Sequence, residues 1–310
     1  MSRAKNAKLT KIKPCLPSLP SPLRAPLFPF LANEPRNFNV SAMRKYWHVV
    51  KIGIQDMLVY RVNFLFRALF GFIPLLATIY LWRTIYAGKE TDASIAGYTL
   101  SGMISYYLLV TIIDAFTAVN EDDWKIAADI KDGNISQFLL KPIDYMTYRF
   151  CLFVTGRAIY IVVAFVPVGL FIFLMREYFV FPADGKTWAC FVVSVILTAL
   201  LQFFLSYTMA MLAFWVLEVS TFIFILFAFE YIAGGHLFPL NILPPAISTA
   251  LNFTPFPYML FFPASIYLGQ SSGDALWQGL AIQTGWVVAF YLLARFAWSR
   301  GIKKYSAVGG

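Results

Sequence analysis

Apolar residues in this chain gather in runs too long for strands and too continuous for one face of a soluble helix. Six runs read as helices: residues 62–82, 97–119, 150–175, 188–217, 221–237 and 276–298. Each approaches or exceeds the roughly 20 residues that cross a bilayer's hydrocarbon layer. A helix is the only form open to such a run, because unpaired backbone cannot face lipid. Only Glu218, Val219 and Ser220 separate the fourth run from the fifth, so that turn is tight.

The segments between the runs carry their own patterns. In residues 44–61, Trp47, Val50, Ile54, Met57 and Leu58 recur at helical spacing, with Lys45, His48, Lys51 and Gln55 on other faces. This predicts an amphipathic helix along the membrane interface before the first span, serving as an anchor or as a transmitter of motion. Between the second and third spans, Glu121, Asp122 and Asp123 precede Trp124, Ile126, Ala127, Ala128 and Ile130. Acidic residues suit a helix N-terminus, and Asp132-Gly133-Asn134 suits its stop. A short apolar piece, 135–140, follows and ends at Lys141-Pro142; a connector of this make-up predicts a docking element. Residues 234–273 interleave Pro239, Pro244, Pro245, Pro255, Pro257 and Pro263 with Phe238, Phe253, Phe256, Phe261 and Phe262. That is too apolar for a free loop and too broken for a plain span. It predicts a re-entrant pair of short helices between the fifth and sixth spans, packed against protein or lining a cavity.

Composition agrees with lipid as the solvent. The chain of 310 residues is 59% hydrophobic and 13% charged, whereas soluble domains are about half apolar and a quarter charged. The fold class expected is all-α membrane protein: six transmembrane helices, the amphipathic interfacial helix and the re-entrant outer hairpin. The net charge of +9 raises nucleic acid as a partner, but the basic residues flank apolar runs instead of forming an aromatic-studded stripe, so nucleic acid is excluded. They report orientation instead. Lys125, Lys131, Lys141, Arg149, Arg300, Lys303 and Lys304 fall on the side of the N-terminal segment, and only Arg83, Lys89, Arg176 and Lys186 fall opposite. Both termini are expected in the cytoplasm. Residues 1–42, rich in Pro and Lys, are expected to be a disordered tail ahead of a six-span domain over 43–310, with Met43 as an alternative natural start.

Charged residues inside spans are costly, and here they are Arg67, Asp114, Arg157, Glu230 and Arg295. Arg295 can snorkel to an interface. Arg67, Asp114, Arg157 and Glu230 are candidates for a translocation path or for structural pairs that neutralise one another. No catalytic constellation accompanies them. His48 and His236 are far apart, no HExxH or GxSxG occurs, and Gly185-Lys186-Thr187 lacks the first glycine of a phosphate-binding loop because that position is Val180. The three cysteines have no metal spacing. No metal or cofactor is expected on this chain. Energy must come from another subunit or an ion gradient.

The order of these segments, with Met43-Arg44-Lys45-Tyr46, Tyr60-Arg61-Val62-Asn63-Phe64-Leu65, Ile130-Lys131-Asp132-Gly133 and Leu139-Leu140-Lys141-Pro142-Ile143-Asp144, resembles the type-2 ABC exporter permeases, in particular their multidrug or daunorubicin-type branch. The resemblance spans residue 43 to the C-terminus. It implies a bacterial inner-membrane permease that lacks its own ATPase site. Its partners would be a cytoplasmic ABC ATPase subunit carrying ATP and Mg, a second permease (the same chain or a paralogue) and the lipid bilayer. It also implies that residues 121–141 form the ATPase-coupling loop: Glu121, Asp122, Asp123, Trp124, Ile126, Ile130, Asp132 and Gly133, with Trp124, Ile126 and Ile130 as contacts. The cargo would be amphiphilic, lipid-linked or drug-like. Two rivals stand beside this reading: a secondary carrier, which should show internal repeats, and a membrane-embedded lipid-modifying enzyme, which should show a polar cluster at one interface.

Overall fold

A computed structural model describes residues 40–59, 61–88, 94–119, 122–179, 181–182 and 184–305. The tail expected over 1–42 lies almost wholly outside them, and the first described helix begins at Val40. The described residues form eleven α-helices in order: α1 (Val40–Val59), α2 (Arg61–Ala87), α3 (Leu100–Thr117), α4 (Asp122–Lys131), α5 (Ile135–Leu139), α6 (Tyr145–Leu174), α7 (Gly185–Ala210), α8 (Ser220–Ala233), α9 (Pro245–Leu251), α10 (Phe261–Tyr267) and α11 (Gly273–Lys304). Among the described residues there is no strand, only an isolated bridge between Ile95 and Tyr98. The all-α membrane class is the one observed.

Among the described residues, five helices are long and apolar enough to cross a bilayer: α2, α3, α6, α7 with its 3₁₀ extension to Phe214, and α11. They match the first, second, third, fourth and sixth predicted runs. The fifth run differs, because α8 is helical for 14 residues only, or about 21 Å at 1.5 Å per residue. The helix stops at two glycines, and Gly235 takes φ +96°, a conformation that a side chain disfavours. A Cβ there would also press on the Tyr106 hydroxyl and on Phe261.

Burial orders the bundle. In the apolar windows of α3 and α7, 56% and 50% of residues are buried, against 17% in α2 and in α6. The first pair is therefore the centre and the second the periphery. One apolar core joins α3 to α7, α10 and α11 through Met103, Ile104, Leu201, Met259, Ile266 and Leu280. A second joins α4, α6, α7 and α11 through Ile126, Ile130, Phe153, Phe203, Met211 and Ala294.

The chain between α8 and α11 dips deep into the bundle. The Tyr258 carbonyl accepts hydrogen bonds from Gln283 Nε2 at 2.8 Å and Thr198 Oγ1 at 3.3 Å. Those donors lie about 15 and 20 Å along α11 and α7 from the helix starts. From there α10 climbs back, and Tyr267 packs on Trp188 at the opening of α7.

The amphipathic helix α1 is present, and one residue of its apolar stripe, Met57, joins the face that packs on α6. Tyr46 Oη accepts from Asp144 N, Gly53 lies against Leu152 and Thr155, and Met57 lies against Gly156. These contacts advance in step, so α1 runs parallel to the first turns of α6. In the same order, α2 continues along α6 through Phe64 with Tyr160 and Phe72 with Phe171. Trp47, Ile54 and Leu58 point away from the chain, because the small residues Gly53 and Gly156 allow the closest helix approach on the other side.

Candidate functional site

Two places bring predicted site residues together: the α4–α5 hairpin and a polar cavity between α3, α7 and α8. In the hairpin, Asp122 opens α4 while Glu121 lies outside the described residues. The Asp123 carboxylate is buried and accepts from Trp124 N at 2.9 Å, as an acid at a helix N-terminus should. Gly133 takes φ +80° to turn the chain into α5, and Asp132 beside it is exposed.

Of the three residues expected to touch a partner, Trp124 alone is exposed, at 40%. Ile126 and Ile130 are buried against Ile135, Phe203 and Met211, so they hold α4 to its own bundle. The helix has one apolar stripe, and that stripe is used internally. The outer surface of the hairpin is instead Trp124, Lys125, Ala128, Asp132, Leu139 and Leu140, the last 88% exposed.

A network that the sequence reading did not anticipate fastens the hairpin to α6. Asp129 on α4 accepts from Tyr145 Oη at 2.7 Å and is ion-paired with the Arg149 guanidinium. Arg149 Nε also donates to Tyr145 Oη at 2.9 Å. Such charge-assisted bonds are stronger than neutral ones and fix orientation. Close by, Asp144 caps α6 by accepting from Thr147 N and Oγ1, and Arg295 Nη1 of α11 donates to it at 2.9 Å. Burial pushes the Asp144 carboxyl up, but the Thr147 bonds and the Arg295 guanidinium outweigh it and hold it below the ordinary carboxylate value. The one sequence signal for this network is the basic cluster itself, which also serves as an orientation signal.

The second place gathers Asp114 and Glu230 with residues the sequence reading left aside. A cavity of about 160 Å³ is lined by Asp114, Gln202, Ser206, Glu230, Tyr231 and His236, among others. His236 Nε2 lies 3.4 Å from Asp114 Oδ1, and Gln202 Nε2 donates to Glu230 Oε1 at 3.2 Å. The Tyr231 ring stacks on the imidazole with centroids 5.2 Å apart. Arg157 lies elsewhere, with its guanidinium over the Tyr160 ring at 5.4 Å. Arg67, exposed on α2, bears on Tyr160 as well. The four intramembrane charges thus divide between two surroundings. His236, dismissed from the sequence as lacking a neighbouring histidine, found its partners across 122 residues.

A family model described as ABC-2 family transporter protein matches residues 72–309. The chain belongs to that family. It is a multi-pass membrane protein and an ABC transporter permease subunit. No curated protein gives a match.

Proposed function

We propose that this permease works as an exporter in the bacterial inner membrane, driven by ATP hydrolysed in a separate cytoplasmic ATPase subunit that docks on the α4–α5 hairpin, with both termini on that side. A second permease completes the pathway. In this reading α8 and the broken segment after it form the fifth span and a re-entrant hairpin. The cargo is amphiphilic, reaching the pathway from lipid past the aromatic surfaces of the bundle. ATP and Mg belong to the partner.

The observation that carries the proposal is the construction of the hairpin. Its inner face is bolted to α6 by Asp129, Tyr145 and Arg149, while its outer face leaves Trp124 and Leu140 uncovered. A lever needs both: a surface for the motor and a stiff joint to a span. Large exposed apolar side chains beside charged ones are the make-up of a protein contact. The Lys and Arg excess at this end supports its cytoplasmic placement.

The test is purification of the tagged full chain in mild detergent from its own host. The expected result is a stoichiometric ATPase, lost in the double variant Trp124→Asp, Leu140→Asp while the permease still elutes as a single species. A wild-type chain that purifies without any ATPase would sink the proposal.

A further inference from the structure

The two peripheral helices, α2 and α6, meet at two aromatic contacts. Phe64 packs edge-on to Tyr160 with centroids 6.2 Å apart, and Phe72 stacks on Phe171 at 4.5 Å. Between these clasps lies a groove of about 730 Å³, walled by Leu65 and Leu69 of α2 and by Val163, Val166, Pro167 and Leu170 of α6. Its whole lining is apolar, and Leu65, Val166 and Leu170 are exposed. The clasps are about 12 Å apart along α2 and about 16 Å apart along α6. That matches one leaflet, half of a hydrocarbon layer about 30 Å thick. Positive charge marks one end of the groove. Arg67 is exposed on α2, about 9 Å along the helix from Arg61. Among the described residues it makes no ion pair. Helical side chains lean toward the N-terminus of their helix, so the long Arg67 stem carries its guanidinium back toward the Tyr160 end. Arg157 is buried and held over the Tyr160 ring. The acid nearby is Asp114, whose carboxylate faces His236 at 3.4 Å. Two cations against one occupied acid leave this mouth positive, and a charge exposed within a span is costly until an anion meets it.

We propose that the groove between α2 and α6 holds one acyl chain of an anionic glycerophospholipid, whose phosphate sits on the Arg67 guanidinium in the leaflet on the α4 side. The guanidinium donates to the phosphate oxygens in charge-assisted bonds, a pairing that its planar fork suits. Arg157 adds attraction from within the bundle. The chain lies along Leu65 and Leu69 on one wall and Val163 and Val166 on the other, and it ends at the Phe72–Phe171 stack. A lipid fits better than a second protein chain, because the Arg67 side chain leans to the level where phosphates already lie. A zwitterionic lipid offers the same chain, but its own cation offsets the phosphate at the mouth. The inference goes beyond the exporter reading and needs only the membrane placement of α2 and α6.

The experiment is photolabelling of the purified full chain in phosphatidylcholine nanodiscs that carry a small fraction of a phosphatidylglycerol probe with a diazirine midway along one acyl chain. The phosphatidylcholine analogue with the same chain is the control, and labelled peptides are mapped by mass spectrometry. The expected label falls on the groove residues of α2 and α6, about fivefold stronger from phosphatidylglycerol, as one arginine near an anionic lipid provides. Arg67→Gln should bring that signal down to the control's level, while Arg67→Lys, which keeps the charge, should retain most of it. Val166→Trp fills the groove at a position 71% exposed, where folding is little at risk. It should remove groove labelling by both probes. Equal labelling by the two probes, or label confined to other helices, would overturn the proposal. So would disulfide formation between two Val166→Cys chains with no lipid label, which would mean that a second copy covers the groove. No ATPase takes part, so a failure here leaves the exporter reading standing, and a missing ATPase leaves this result interpretable.

Discussion

At the α4 end of the bundle helices are joined by ions; midway along α7 and α11 they are joined by neutral groups. The first region uses Arg149 with Asp129 and Arg295 with Asp144. The second uses Gln283, which donates to the carbonyls of Ser194 and Tyr258 and to Thr198 Oγ1, and accepts from Ser194 Oγ. Tyr106 and Tyr107 work in the same neutral way, donating to the carbonyls of Gly235 and Leu237 at 2.6 and 2.9 Å. The difference follows depth. Near the helix ends water or headgroups can solvate an ion pair, whereas deep in the bundle a charge costs far more than a neutral donor. The deep region also has a particular need. Where the chain leaves helical form after α8, its carbonyls lose their own partners, and the amide and phenol side chains replace them.

The strongest way to break the contrast is Arg149→Ala, which leaves the Asp129 carboxylate, 19% exposed, without its cation. A loss of about 3 kcal/mol is expected from orphaning a buried charge, read as a fall in the denaturation midpoint in detergent. Asp129→Asn on the same background should restore part of it, because it removes the orphan. Gln283→Leu should cost less, about 2 kcal/mol, because no charge is stranded. Its effect should be local, raising the labelling rate of a cysteine at Phe253, which is 80% exposed, next to the released segment. The smallest effect belongs to Asp144 and Arg295, whose side chains are 31% and 44% exposed. A pair this open contributes at most about 1 kcal/mol. Because the Asp144 carboxyl is held below its ordinary value of 3.8, that contribution is complete above the unfolded value. It fades as pH falls through the lower folded one. A denaturation midpoint followed downward from neutral pH should therefore stay flat until the acid limb, and Asp144→Asn should flatten the limb itself.

Much of the architecture was legible because lipid imposes a simple rule on sequence. Five of the six apolar runs became long helices close to their predicted positions, and the acids before Trp124 did mark the start of α4. The fifth run was less legible because hydropathy does not register backbone form: residues 221–237 are mostly apolar, with Glu230 and His236 among them, and Gly234 and Gly235 end the helix early. Ile126 and Ile130 show a related limit. An apolar stripe on a short helix is the same whether it meets its own bundle or a partner, and only packing distinguishes the two. Asp114 and Glu230 could be flagged as costly, but His236 and Gln202 could not be joined to them, since side-chain partners distant in sequence leave no local pattern.

The sequence by itself determined that this chain lives in a membrane, that it is helical, and which end of the bundle carries the positive charge. Those properties are sums over residues, and each residue contributes to them wherever it sits. Tertiary structure alone decided which face of α1 meets α6 and which residues of α4 remain exposed. It also decided that a lone histidine would close a cavity with two carboxylates. These are matters of pairwise distance, set by where glycines let helices approach and where a helix stops, and they exist only once the chain has packed.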